Sequence, residues 1–191
     1  MAKLEIVCDG HPTLKKQAKS IRKMTDELRS LADDMVETML CSNGVGLAGN
    51  QVNRPVRIIT VMHAQNDIRV YINPRILKFS KEVQYGDEGC LSFPLLYGTV
   101  CRADRVAVQA QTLDMKKVKV DAEGYLARVF QHEIDHLNGI TFTERAEPDT
   151  FYTITRKEYE EDIEGDGEAP EEISSGDKED SQPADASSHA G

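Results

Sequence analysis

The stretch Gln131-His132-Glu133-Ile134-Asp135-His136 lies in the segment whose pattern most strongly constrains the fold. The spacing predicts a mostly buried helix over about residues 122–138, closed by Gly139. Because residues four apart share one face of a helix, His132 and His136 can reach one metal ion, while Glu133 faces the neighbouring water position. The apolar residues that make this helix a buried one are Leu126, Val129, Phe130 and Leu137.

A His-Glu-x-x-His pattern also arises by chance in exposed charged helices, where the three side chains are merely solvated. The apolar surroundings favour a metal site here, because buried ionisable groups are costly unless they are paired or bind metal. A catalytic metal needs a third ligand and an open position. Cys90, within Glu88-Gly89-Cys90-Leu91-Ser92, offers a thiolate, although a lone cysteine is more often a core residue. The residues alone leave both interpretations open.

A second candidate region is the glycine-rich loop over residues 43–51, which reads Asn-Gly-Val-Gly-Leu-Ala-Gly-Asn-Gln. The loop lacks the Lys-Ser/Thr of a P-loop, so it is weak evidence for nucleotide binding. It better suits a backbone that lies against an extended ligand, with the Gln51 amide donating to a carbonyl. The remaining cysteines, Cys8, Cys41 and Cys101, form no Cys-x-x-Cys pair and are interpreted as structural.

The other periodic segments predict an α+β fold. Apolar residues recur at helical steps between Thr25 and Cys41, and Thr25 suits the N-cap. Runs rich in β-branched residues predict short strands, and strands grouped between two helices favour α+β over a wound parallel sheet. We therefore expect mixed or antiparallel sheets packed around the central metal-binding helix, with the first helix near the N-terminus. The predicted strands cover residues 57–62, 69–72, 105–110 and 118–120.

Length and charge predict one domain followed by a tail. The chain has 191 residues and a formal charge of -10, and residues 158–191 hold thirteen acidic residues but one lysine. Residues 1–157 are therefore predicted to form the catalytic domain, and 158–191 an acidic tail that is disordered from about Glu160. No apolar run is long enough to span a membrane, and Glu5 and Asp9 interrupt any signal core, so a cytoplasmic protein is expected.

Three stretches together resemble one family, peptide deformylase. They are Gly44-Val-Gly-Leu-Ala-Gly-Asn-Gln51, Glu88-Gly-Cys-Leu-Ser92 and Gln131-His-Glu-Ile-Asp-His136, in the order and spacing of that family. The resemblance covers roughly residues 4 to 145, and the segment from Ser92 to Arg102 is most similar to the plastid-type and bacterial type 1 branch. It implies a metal-dependent hydrolase that removes the formyl group from the N-terminal methionine of new polypeptides and releases formate.

The resemblance also implies roles for individual residues. Cys90, His132 and His136 would hold one divalent ion, Fe(II) in most members, with zinc, nickel or cobalt able to take its place. Glu133 would be the general base, and the Leu91 backbone N–H and the Gln51 amide would stabilise the oxyanion. The peptide would lie along Val45 and Gly46, with Tyr97 beside it. Candidates for an apolar methionine pocket are Leu126, Val129, Phe130 and Tyr97.

Two positions depart from the family pattern, and the partners implied are limited. Gly49 replaces an alanine, and Tyr97 stands where many bacterial members carry arginine. Nascent formyl-methionyl peptides are the expected partners of a protein favoured to be monomeric, with no direct nucleic-acid or membrane binding. Transient proximity to the ribosome is compatible with this, but a polyanionic tail does not favour docking on RNA. The competing hypotheses are a zinc endopeptidase, from His-Glu-x-x-His alone, and a catalytically silent metal- or peptide-binding module.

Overall fold

The computed structural model of the chain describes residues 2–165. Its central helix, α2 (Gly124–Leu137), begins after Glu123, whose backbone is still extended, and ends before Gly139, which has φ +78°. Nearly every residue from Ala127 to Leu137 is buried, and the buried set includes charged and polar side chains as well as apolar ones. The helix contacts strands of both sheets of the molecule, so its histidines lie between them.

The strands form two sheets, and all neighbouring strands within each sheet are antiparallel. The larger sheet has the order β1-β2-β3-β6-β7 and the smaller one β4-β5-β8. This confirms the predicted α+β class. The strands are β1 (Gly46–Ala48), β2 (Ile58–Ala64), β3 (Asp67–Phe79), β4 (Val83–Cys90), β5 (Phe93–Ala103), β6 (Arg105–Gln111), β7 (Lys117–Glu123) and β8 (Tyr152–Thr153).

The first helix, α1 (Asp26–Leu40), has the predicted N-cap, because Thr25 Oγ1 accepts a hydrogen bond from the Leu28 N–H. Its buried face packs against β1, β2 and β3, where Met35 and Met39 are fully enclosed. The loop between α1 and β1, residues 41–45, is tied to the end of the helix, because the Gly44 N–H donates to Met39 O at 2.9 Å.

The strand predicted to stop before Asn73 continues to Phe79. Asn73 takes φ +51°, and the register with β6 shifts between Ile72 and Arg75. The Asn73 side chain satisfies the interrupted backbone, since it donates to Ile21 O and accepts from Ile21 N, both at 2.8 Å. The Asn73-Pro74 pair therefore does interrupt the regular strand, but it produces a β-bulge rather than the end of the strand.

The sequence pattern did not predict the β4–β5 hairpin, although Cys90 lies at its tip. β4 contains two glycines and three charged or amide residues in eight, so it lacks the β-branched alternation that marks a strand. The long pairing from Val83–Ala103 to Gly89–Tyr97 specifies it instead. The hairpin turn places Cys90 opposite α2.

The C-terminal part corrects the predicted tail. A helix, α3 (Arg156–Gly165), crosses the predicted boundary between residues 157 and 158, where an irregular chain was expected from about Glu160. Thr155 and Glu158 cap its start reciprocally, and Arg156–Glu160 and Lys157–Glu161 form i,i+4 ion pairs. The rest of the predicted tail, residues 166–191, lies outside the described residues. Within residues 2–165, no helix is long and apolar enough to cross a bilayer.

Candidate active site

Three donor atoms converge between α2 and the β4–β5 hairpin. His136 Nε2 lies 3.2 Å from Cys90 Sγ and 3.2 Å from His132 Nε2, and all three donor atoms lie within 4.8 Å of one another. Around a tetrahedral ion with metal–nitrogen and metal–sulfur bonds of about 2.0–2.3 Å, donors are separated by about 3.3–3.6 Å. The three residues predicted from sequence therefore fit a divalent metal ion.

The electrostatics of this cluster also suit a cation. Burial lowers the pKa of His132, but its hydrogen bonds with Cys90 and Glu88 outweigh burial and raise that pKa well above the usual value. A positive charge on His132 is therefore stabilised, whereas burial and the charge of His132 lower the pKa of His136 well below its usual value. A bound metal ion supplies such a charge while leaving both imidazoles neutral.

Glu88 orients His132 from the side of the ring that faces away from the cluster. It is 5% exposed, and its Oε2 lies 2.9 Å from His132 Nδ1, which leaves Nε2 directed at the cluster. Arg102 donates to both carboxylate oxygens at 2.9 and 3.0 Å, and Arg128 donates to Oε1 at 2.8 Å. Although burial raises the pKa of Glu88, the hydrogen bonds from His132 and Arg102 hold it well below its usual range. Glu88 is therefore ionised.

The network extends to the far side of α2. Asp135 is 8% exposed, binds Arg102 Nη1, and accepts from Arg145 Nη2 at 2.9 Å. Asp135 and Arg102 thus form a buried ion pair. Two carboxylates and three guanidinium groups hold the helix bearing the histidines against the hairpin bearing the cysteine.

Glu133 is buried beside Gly46. A Cβ atom added to Gly46 would lie 2.4 Å from Glu133 Oε1, so this glycine makes room for the carboxylate. Burial raises the pKa of Glu133 to about 7, and its Oε2 has no hydrogen-bond partner among the described residues. A carboxyl group that titrates near neutral pH and faces a cleft is suited to accept and return a proton.

Gln51 is fixed so that its amide nitrogen faces the cluster. Its Oε1 accepts the Ala48 N–H at 2.8 Å, and its Nε2 lies 3.4 Å from both Cys90 Sγ and Ser92 Oγ. The departure at Gly49 does not displace it. A Cβ atom at Gly49 would lie 2.6 Å from two backbone oxygens, of Arg54 and Val56, so close packing of the following loop requires glycine in this chain.

A cleft of about 560 Å³ opens beside these groups. The predicted peptide-binding residues Val45, Gly46 and Tyr97 all line it, as does Leu91. The ring of Tyr97 covers Gly89, where a Cβ atom would lie 2.6 Å from it, and stacks on Tyr152 at a centroid distance of 5.6 Å.

Two of the four candidates for the methionine pocket are placed elsewhere. Val129 and Tyr97 line the cleft, whereas Phe130 and Leu126 pack in the core between α2 and the larger sheet. Helical periodicity identifies an apolar face but not which of its residues meets a cavity. The sequence interpretation missed further lining residues, namely Ile6, Tyr125, Arg128, Arg156 and Tyr159.

The other cysteines are not the buried residues expected. Cys8, Cys41 and Cys101 are exposed, and only Cys90 among the four is shielded from solvent. Cys41 caps α1, and Cys101 lies on the outward face of β5, so neither packs into a core. None of the three contributes a donor to the cluster.

Comparison with known proteins gives a consistent result. The family model described as polypeptide deformylase matches residues 3–151. A peptide deformylase of Symbiobacterium thermophilum is 48% identical over 147 residues, which cover 76% of this chain and 67% of that protein. One of Dictyoglomus thermophilum is 47% identical over 145 residues, covering 75% and 93%.

Solved structures agree in fold. The crystal structure of peptide deformylase from Thermotoga maritima superposes with a TM-score of 0.75 at 38% identity, covering 78% of this chain and 100% of that one. A class I type b peptide deformylase from Acinetobacter baumannii, bound to Met-Ala-Ser, gives a TM-score of 0.73 at 40% identity, with coverages of 75% and 98%.

Proposed function

Since the chain belongs to the polypeptide deformylase family, we propose how its own residues perform the reaction of that family. The reaction is the metal-dependent hydrolysis of the formyl group from the N-terminal methionine of new polypeptides, with release of formate. The observation that carries the assignment is the convergence of the three donor atoms of Cys90, His132 and His136 next to Glu133, at the wall of an open cleft.

The metal ligands in this proposal are Cys90, His132 and His136. One sulfur and two imidazoles leave a position open, as a catalytic site requires. When bound, the ion acts as a Lewis acid that activates water and polarises the formyl oxygen. We propose Fe(II) as the resident ion; zinc, nickel and cobalt suit the same donor set, so the donors alone do not select among them.

The peptide lies extended along Val45–Gly46 and the chain that follows Cys90. Main-chain hydrogen bonds to an extended peptide read no side chains, which suits an enzyme that acts on many different new proteins. The Acinetobacter baumannii relative was solved with Met-Ala-Ser bound, which supports a methionine-led peptide as the ligand. Val129 and Tyr97 are proposed to contact the methionine side chain.

Glu133 moves the proton. Its carboxylate accepts a proton from the attacking water, whose oxygen bonds to the formyl carbon, and it later gives that proton to the amine nitrogen as the C–N bond breaks. Formate and a free N-terminal amine result. The pKa of about 7 suits both transfers, because a group that titrates near the working pH can act as base and then as acid.

Gln51 and Leu91 stabilise the negative charge that develops on the formyl oxygen. The Gln51 Nε2 group is already directed at the cluster, because its Oε1 is held by the Ala48 N–H. Leu91 lines the cleft directly after the ligand Cys90, and its backbone N–H is the proposed second donor. Preorganised donors of this kind are typically worth 10²- to 10³-fold in rate.

Formate release from formyl-Met-Ala-Ser by anaerobically prepared, Fe(II)-loaded protein tests the function. The proposal predicts turnover that a Glu133→Ala variant lacks; release no faster than that variant would refute it. Internal cleavage of unformylated peptides would instead support the zinc endopeptidase, for which a thiolate ligand is unusual. Tight binding of formyl peptides without turnover would support the silent module.

The setting of the reaction is also proposed. We infer a cytoplasmic monomer whose partners are nascent formyl-methionyl peptides, near the ribosome only transiently and without nucleic-acid binding. The acidic residues from 158 onward support the absence of nucleic-acid binding, because they would be repelled by RNA. We propose residues 1–157 as the catalytic domain; α3, which begins at Arg156, runs across that boundary.

A further inference from the structure

Two residues beyond the part of the chain matched by the family model line the same cleft as the active site. The match ends at residue 151, yet Arg156 and Tyr159, on α3, line the cavity together with Glu133 and His132. Tyr159 is half-buried, whereas its helical neighbours on either side are exposed. The helix thus contacts the body through the face that borders the cleft.

The placement of α3 follows from two points of backbone pairing with β5. An isolated antiparallel bridge joins Ala146 to Val100, and after a 3-10 turn over Pro148–Thr150 the strand β8 pairs with β5 and Ile154 N donates to Leu95 O at 3.1 Å. The reciprocal cap of Thr155 and Glu158 then starts the helix immediately. The segment is therefore held against the cleft by backbone hydrogen bonds, and its position does not depend on α3 alone.

A local backbone feature marks the same point of the rim. Leu95 has φ +64°, which is rare for a large apolar residue. Its carbonyl accepts the Ile154 N–H, and its side chain lines the cleft. The bend in β5 thus brings the C-terminal segment to the cleft wall.

The charged residues of the cleft, Asp87 and Arg156, differ in the strength of their hydrogen bonds and ion pairs. Asp87 accepts from Thr99 Oγ1 at 2.6 Å and from the Tyr152 hydroxyl at 3.1 Å. Arg156 pairs with Glu160 at 3.3 Å, but the two side chains are 86% and 63% exposed. An exposed pair of this kind is weak, so the guanidinium can exchange it for another carboxylate at little cost.

We propose that Arg156 and Tyr159 form a further subsite for peptide residues downstream of the N-terminal methionine, and that it favours an acidic side chain there. The inference rests on the proposed function, because it needs a formyl peptide in the cleft. Tyr159 supplies a ring against which the chain of a longer peptide packs, and Arg156 supplies the charge. In this proposal, a peptide that ends two residues after the formyl group is too short to contact α3.

The size of the preference follows from the exposure of Arg156. An ion pair in water-exposed surroundings changes kcat/KM by about two- to fivefold. Salt screens such a pair, so the preference shrinks when the ionic strength rises from about 0.05 to 0.5 M. A preference of this kind affects which new proteins are processed first rather than whether they are processed.

The experiment compares three substrates, formyl-Met-Ala-Asp-Ala amide, formyl-Met-Ala-Lys-Ala amide and formyl-Met-Ala amide. The C-terminal amides remove a competing carboxylate. The variants are Arg156→Glu and Lys157→Glu, which change the net charge equally on adjacent residues of one helix. Lys157 is the matched control, since it forms a similar exposed i,i+4 pair at 3.4 Å but does not line the cleft.

For the parent protein we expect the aspartate peptide to be processed about two- to fivefold more efficiently than the lysine peptide. Arg156→Glu should abolish or invert this ratio, whereas Lys157→Glu should preserve both the ratio and the activity on formyl-Met-Ala amide. Tyr159→Ala should lower kcat/KM for both tetrapeptides more than for formyl-Met-Ala amide.

Three outcomes would overturn the proposal. They are equal rates for the two tetrapeptides in the parent, a ratio that Arg156→Glu leaves unchanged, and an equal shift by Lys157→Glu, which would indicate a general field of the helix. Absence of formate release from all three substrates is a different result, because it would refute the proposed function itself.

Discussion

The metal cluster and the outer rim of the cleft lie in one cavity but are built in opposite ways. At the cluster, Glu88, Glu133 and His136 are nearly or fully buried, and Glu88 and His136 have partners on another element. At the rim, Arg156 and its partner are exposed and come from one helix. Buried groups lose their solvation and must be paired, whereas exposed ones keep water as an alternative partner. Substitutions should therefore have large effects at the cluster and small, salt-dependent ones at the rim.

The largest effect is expected at Glu133. Glu133→Gln keeps the volume beside Gly46 but removes the proton acceptor, so kcat should fall about 10²- to 10⁴-fold. Formate release gives the rate, and metal analysis of the same samples should show unchanged ion content. A variant that retains more than a tenth of the parent rate would remove Glu133 from the role of base.

The second-largest effect is expected at Gln51. Gln51→Glu keeps the acceptor for the Ala48 N–H but replaces the amide donor that faces Cys90, so kcat should fall about 10²- to 10³-fold. Single-turnover rates with saturating formyl-Met-Ala-Ser measure this. A rise in KM alone, with kcat unaltered, would show that Gln51 binds substrate without stabilising the oxyanion.

Glu88 tests the network behind the ligands. Glu88→Gln weakens the hold on His132, leaves Arg128 without a carboxylate and leaves Arg102 with Asp135 alone, so metal affinity should drop about 10- to 100-fold and stability by about 3–5 kcal/mol. Competition with a chelator and urea unfolding give the two values. Glu82→Gln, which breaks an exposed pair with Arg105 at 3.1 Å, is the control and should cost less than about 1 kcal/mol. An equal loss of unfolding free energy in the Glu88→Gln and Glu82→Gln variants would contradict the contrast between buried and exposed charges.

Gly49 is expected to show the smallest effect of the four. Gly49→Ala places a Cβ atom against the carbonyls of Arg54 and Val56, so unfolding should become easier by about 1–3 kcal/mol. Thermal unfolding monitored by circular dichroism measures the change. A variant as stable as the parent would show that the loop over residues 54–56 yields without strain.

The contrast between the two regions also explains how much could be predicted from the sequence. The two helices and the pair of histidines follow from local periodicity, and the structure confirms these elements. The hub role of Glu88 could not be predicted, because Arg102, Arg128 and His132 lie 14 to 44 residues away and meet only through the fold. Local patterns carry no information on such pairings.

Helix α3, which forms the rim of the cleft, was not predicted from the sequence for a different reason. Thr155-x-x-Glu158 is a capping-box signal, and it is followed by two Glu residues spaced for i,i+4 pairs. The strongly acidic composition after residue 158 outweighed that local signal in the sequence interpretation. Composition describes a stretch as a whole, whereas a helix start depends on a few residues at fixed spacing.

X-ray absorption of protein loaded with one zinc ion per chain tests the central claim most directly. One sulfur at about 2.3 Å and nitrogen or oxygen neighbours at about 2.0–2.1 Å are expected, with the sulfur lost in Cys90→Ser. A first shell without sulfur in the parent protein, or a sulfur that persists in Cys90→Ser, would contradict the ligand set on which the account depends.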